Sequence, residues 1–224
     1  MTLSVSLILV IATCAVSIPA FSNGKLMNDL IFYPPAITNQ KQYYRFFTHG
    51  FLHADVAHLA FNMIALYSFG EAVEQIYSLD CLFGRLGKLY YQLMYAGALL
   101  IASVPTYVKN KDNYHYRSLG ASGAVSAVVF AGITLLPQLP INIMFIPIDI
   151  PGYIFGVAYL AISAWLDKKG GGHINHSAHF WGAAFGVLFT VVMCLALAKL
   201  DVVDNFMRQI QAGTGKILPF QCDL

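Results

Sequence analysis

Ser118-Leu-Gly-Ala-Ser122-Gly-Ala-Val-Ser-Ala-Val-Val-Phe-Ala-Gly-Ile-Thr-Leu-Leu136 carries no charged side chain. A helix of about 20 such residues, rising 1.5 Å per residue, crosses a hydrocarbon core. Gly, Ala and Ser set among Val and Phe suit a helix that packs closely on others in lipid, where small side chains let backbones approach. Further uncharged runs lie near 1–22, 89–108, 150–166 and 177–198, and the stretch quoted extends to 148. Segment 56–70 is shorter and carries His58 and Asn62, but its other faces are apolar. Counting it gives six spans, so the expected fold class is an all-α polytopic membrane protein. Its transmembrane domain covers 1–200, with spans near 3–21, 54–72, 89–107, 119–135, 151–166 and 177–197, followed by a short polar tail over 201–224. Composition agrees: 58% hydrophobic, 11% charged and a mean hydropathy of +0.62 exceed what one soluble domain needs.

The opening run Met1 to Ala20 lacks a positive n-region, and its apolar stretch is longer than a usual h-region. Although Ala15-Val16-Ser17 has the small-x-small spacing of a cleavage site, the first helix is expected to be retained. Residues 22–55 contain Pro34-Pro35 and Tyr43-Tyr44-Arg45-Phe46-Phe47, a density of rings that suits a lobe resting at the membrane interface. Repeated prolines over 136–150 prevent a regular helix there, so the fifth span begins near Pro151-Gly152.

Six spans put loops 22–55, 107–118 and 167–176 on one side, with eight Lys and Arg. The termini and loops 71–88 and 136–150 lie on the other, with five. That split mildly favours a cytoplasmic placement of the first side. Cys14, Cys81, Cys194 and Cys222 lack metal-ligand spacing and read as small apolar side chains with no disulfide implied. A net charge of +2 offers no basic field for nucleic acid, and no glycine-rich phosphate loop is present, so neither nucleic acid nor nucleotide is an expected partner.

Ser122 opens a small-residue helix, flanked by Gly120 and Gly123. Glycine on both sides permits close approach, and the unpaired N–H groups of a helix start can face developing negative charge. His179 begins His179-Phe-Trp-Gly182-Ala-Ala-Phe-Gly186, whose Gly-x-x-x-Gly stripe matches the small face from Gly123 to Ala127. Contact between the stripes brings the imidazole toward the hydroxyl, as a general base requires. His173 and His176 are rivals nearer the glycine-rich loop. His58 and Asn62, four apart, share a helix face and can act as oxyanion donors with the Ser122 N–H, or as glue between helices. His49, His53 and His58 also admit a histidine-ligated metal hydrolase, but Asp55 is the sole acid beside them, and no metal or cofactor is expected.

Three motifs carry a family likeness: His49-Gly-Phe-Leu-His53-Ala-Asp-Val-Ala-His58-Leu-Ala-Phe-Asn62, Gly120-Ala-Ser122-Gly123, and Ala178-His179-Phe-Trp-Gly182 with Gly186. Together the chain resembles the rhomboid family of intramembrane serine proteases over nearly its whole length. The resemblance implies a six-helix bundle, Ser122 as nucleophile, His179 as general base, and His58, Asn62 and Ser122 as the oxyanion hole. It gives His53 a structural or substrate-proximal place, and Gly120, Gly123, Gly182 and Gly186 supporting ones. Glu71 and Glu74 fall where the family has an acid-bearing stretch of structural role. Tyr44-Arg45 stands where the family often has Trp-Arg, which alters loop anchoring more than chemistry.

The implied substrates are transmembrane proteins in a lipid bilayer, a bacterial inner membrane or similar. Both termini are then cytoplasmic and the site opens to the extracytoplasmic side, against the charge split. Alternatives are a catalytically inactive relative that binds membrane clients and the metal hydrolase; a transporter is disfavoured by the lack of inverted repeats.

Overall fold

The computed structural model describes residues 3–142, 149–169 and 175–213. Its helices, in chain order, are α1 (Val5–Ala20), α2 (Gly24–Leu30), α3 (Pro34–Gln40), α4 (Arg45–Thr48), α5 (Val56–Tyr77), α6 (Gly87–Asn110), α7 (Ser122–Leu135), α8 (Gly152–Lys169), α9 (His176–Met193) and α10 (Val202–Gln211). A hairpin of β1 (Pro140–Asn142) and β2 (Asp149–Pro151) pairs Ile141 with Ile150 in antiparallel register. It occupies the proline-rich stretch that the sequence reads as non-helical; residues 143–148 within that stretch lie outside the described residues.

The helices are inverted relative to those of a water-soluble bundle. α1 buries Ser6, Thr13 and Ser17 and turns Ile8, Ile11 and Ile18 outward. α9 buries Gly182, Gly186 and Thr190 and exposes Trp181, Leu188 and Val192. Polar and small residues inside, with large apolar ones outside, is the arrangement lipid favours, since tails solvate apolar side chains and packing holds the helices together. Among the described residues, Val56–Tyr77 and His176–Ala198 are long and apolar enough to cross a membrane by length and composition. The protein is an all-α integral membrane protein.

Helix α7 sits at the centre, packed by α9, α5 and α6, and all its residues but Ser122 and Val129 are buried. A Cβ built at Gly182 would collide with the Gly123 carbonyl oxygen, and one at Gly186 with that of Ala127. The two small-residue stripes therefore meet backbone to backbone. At the far end of α7, the Leu135 carbonyl accepts from Asn205 Nδ2 at 3.4 Å and Gln209 Nε2 at 2.9 Å. Both donors belong to α10, which occupies the segment read from sequence as a polar tail.

The lobe before α5 is a folded unit. Arg45 is buried, its Nη1 donating to the carbonyls of Asn28 (2.9 Å) and Ile31 (2.7 Å) and its Nε to Gln42 (2.6 Å). Glu74 accepts from the N–H groups of Val5 and Ser6 at 3.0 and 3.1 Å, and the Ser4 hydroxyl donates to Glu71. The two carboxylates thus hold the open N-terminus of α1, where dipole and unpaired donors favour negative charge. One expectation is corrected: Cys81 is disulfide-bonded, so it is not the plain apolar side chain inferred from the spacing of the cysteines. Cys14 and Cys194 are free.

Candidate active site

Ser122 is the first residue of α7. The chain reaches it by a turn at Gly120, whose φ of +117° lies where side chains are disfavoured, and whose N–H donates to the His49 carbonyl at 3.0 Å. A Cβ there would lie 3.0 Å from the His58 ring and 3.8 Å from Ser122 Oγ. Glycine is required at 120 both for its dihedral and for the space beside the hydroxyl.

His179 stands in the first turn of α9, and its Nε2 is 2.7 Å from Ser122 Oγ. These residues, 57 apart in sequence, meet because the α7 and α9 stripes allow a backbone contact that larger side chains would prevent. Tyr159 of α8 stacks on the imidazole, with centroids 6.2 Å apart and planes 20° apart, and its hydroxyl bonds Ser126 Oγ at 2.8 Å. Sequence reading missed Tyr159; the signal available was Ser126, four residues after Ser122 and so on the same face of α7. His176 lies edge-on to His179 at 5.8 Å, while His173 is outside the described residues.

His58 lies over Gly120 from the first turn of α5, whose N-cap Asp55 accepts from the His58 N–H at 2.7 Å. The His58 Nδ1 accepts from Ala54 N–H at 3.4 Å, which leaves Nε2 toward Gly120. Asn62 is buried, and its Nδ2 donates back to the His58 carbonyl at 2.9 Å. The histidines before α5 are buried and hydrogen-bonded. His53 is fully buried: the Ser17 hydroxyl donates to the Phe51 carbonyl at 2.8 Å and so accepts from His53 Nδ1 at 2.9 Å. His49 Nε2 lies 3.0 Å from Ser103 Oγ, whose hydroxyl donates to the Leu99 carbonyl. Burial holds both imidazoles down at about 4, so both are neutral in the folded protein at pH 7. A small cavity lined by Phe32, His49, Ser103, Gly120 and Ser122 adjoins the hydroxyl.

The arrangement brings together a hydroxyl at a helix start, an imidazole nitrogen within hydrogen-bond reach of it, a ring stacked on that imidazole, and a second imidazole across a glycine. The Rhomboid domain family model matches residues 40–196. RHOMBOID-like protein 12, mitochondrial, of Arabidopsis thaliana is 30% identical over 150 residues, 63% of this chain and 44% of the relative. The human Presenilin-associated rhomboid-like protein, mitochondrial, is 32% identical over 144 residues, covering 62% and 35%. Putative rhomboid protease YdcA of Bacillus subtilis is 28% identical over 174 residues, 78% of each chain. Against the first two the chain spans less than half of the relative's length.

Proposed function

Because the chain belongs to the rhomboid family, we propose that it is an intramembrane serine endopeptidase, a six-span bundle that hydrolyses peptide bonds in or near transmembrane segments of other proteins. The observation that carries the reading is the 2.7 Å approach of His179 Nε2 to Ser122 Oγ. Helix α7 has 14 residues, about 21 Å against a hydrocarbon core of about 30 Å, so the two ends of an upright α7 cannot both reach a membrane surface, and the proposal puts the Ser122 end within the core.

A substrate helix unwinds locally, because its own hydrogen bonds otherwise occupy the scissile carbonyl. Ser122 Oγ attacks that carbon as His179 takes the hydroxyl proton. The Ser122 N–H, His58 Nε2 and Asn62 hold the oxyanion, with Gly120 keeping the space beside the hydroxyl open and Gly123 letting α6 and α9 close on α7. His179 then returns the proton to the leaving amine, and water completes hydrolysis by the same steps. Tyr159 keeps the imidazole in plane during both transfers. Covalent labelling tests this directly: a fluorophosphonate probe is expected to modify the wild-type protein and not Ser122→Ala. Labelling that survives the substitution removes Ser122 as nucleophile.

Following the family pattern, we place the chain in a bacterial inner membrane or similar bilayer, with the termini cytoplasmic and the site open to the extracytoplasmic side. Two observations pull the other way: the split of Lys and Arg, and oxidised Cys81, which follows the end of α5 opposite His58. Tyr114→Cys introduces a thiol at an exposed position on the site's side. An impermeant maleimide is expected to label it in intact cells; protection until lysis would reverse the orientation.

A further inference from the structure

Asn175 immediately precedes α9 and does two things with one amide. Its Oδ1 accepts from the Ala178 N–H at 3.1 Å, capping the helix turn that carries His179. The same amide meets Thr106 of α6, Nδ2 donating to Thr106 Oγ1 at 3.0 Å and the Thr106 hydroxyl lying 3.2 Å from Oδ1. Thr106 is buried and lies near the end of α6.

We infer that Asn175 is a positioning residue, which with Thr106 sets the distance between the base and the nucleophile by tying the first turn of α9 to α6. The inference rests on the proposed roles of Ser122 and His179 and adds to them a residue that touches neither reacting atom. Capping alone does not account for the contact. Serine caps a helix as well as asparagine does, yet it lacks the amide arm that reaches Thr106. The stripe contact between α7 and α9 constrains how closely the helices approach; it leaves free a small rotation of the first turn of α9, which the Asn175–Thr106 bond removes. Misplacement by an ångström at a reacting pair costs on the order of 100-fold in rate.

The test uses the full chain in detergent, with Asn175→Ser, Thr106→Val and the double variant compared against wild type. Three readouts are followed: the thermal midpoint, the rate of fluorophosphonate labelling, and the kcat and KM for a transmembrane peptide. Asn175→Ser is expected to keep the midpoint, lower labelling and kcat on the order of 10- to 100-fold and leave KM unchanged. Thr106→Val should match it, and the double variant should be no slower than either single one, since both remove one tether. Wild-type rates in Asn175→Ser, or additive losses in the double variant, overturn the inference. If wild type itself fails to label, the protease reading falls, and the tether is read from the ¹⁵N resonance of His179 Nε2. That signal should move toward a free imidazole in both single variants, and an unchanged signal overturns the positioning role independently of activity.

Discussion

Ser122→Ala and His179→Ala are each expected to abolish cleavage of a transmembrane substrate in liposomes, with kcat/KM falling by at least ~10³-fold. The two losses should be of similar size, because a neutral serine hydroxyl is a weak nucleophile and, in the proposed dyad, gains its reactivity from the nitrogen 2.7 Å away. Removing the base leaves an oxygen that cannot shed its proton as the bond forms. Removing the hydroxyl leaves a base with nothing to activate. The double variant should accordingly be no slower than either single one, the signature of residues acting as a unit. Ser122→Ala removes only a hydroxyl and should keep the helical circular dichroism and thermal midpoint of wild type, whereas His179→Ala empties a half-buried ring site beside Tyr159 and should keep the helical signal at a lowered midpoint. Substantial turnover in either folded variant would remove the dyad. Loss of activity to a chelator, with both variants active, would instead favour a histidine-ligated metal.

Motifs read from the sequence locate most of the candidate site because each of its parts departs from what lipid asks of a helix. A serine between glycines, a histidine ahead of a Gly-x-x-x-Gly stripe, and His58 with Asn62 four residues on are all costly or unusual in an apolar span. The residues that the motifs do not mark have the opposite character. Tyr159 is an ordinary aromatic in an apolar segment until Ser126 is known to face it. Asn175 follows a glycine-rich stretch and reads as loop, and its bond to Thr106 crosses 69 residues of sequence. Helix α10 reads as a polar tail because its inward face is polar: Asn205 and Gln209 turn toward the Leu135 carbonyl while Val203 and Met207 are exposed. Patterning rules written for a water-facing surface assign such a helix the wrong faces. The oxidation of Cys81 leaves no trace in the spacing of four scattered cysteines.

Gly182→Ala and Gly186→Ala should destabilise the protein by about 1–3 kcal/mol each, the range for adding a methyl to a packed interior, and valine should cost more. The obstacle in both cases is backbone. The new Cβ meets the carbonyl oxygen of Gly123 or Ala127 within α7, which cannot rotate aside as a side chain does, so α9 must move away as a body. Gly24 provides the control, because a Cβ there meets nothing within 4 Å and Gly24→Ala should leave the thermal midpoint unchanged. The consequences for activity should then separate the two sites. Gly182 lies one turn from His179, and displacing α9 at that level opens the Ser122–His179 approach directly. Gly186 lies about two turns away, where a tilt of α9 can relieve the clash while the first turn stays tied near Thr106. Compared at temperatures where both variants are folded, Gly182→Ala should therefore lose much more of its labelling rate than Gly186→Ala does. Equal rates would mean that α9 moves as one rigid piece and that the bond at its start does not hold the base in place. Wild-type midpoints in both variants would contradict the backbone contact between α7 and α9 itself, and with it the physical reason that a serine and a histidine 57 residues apart can share a proton.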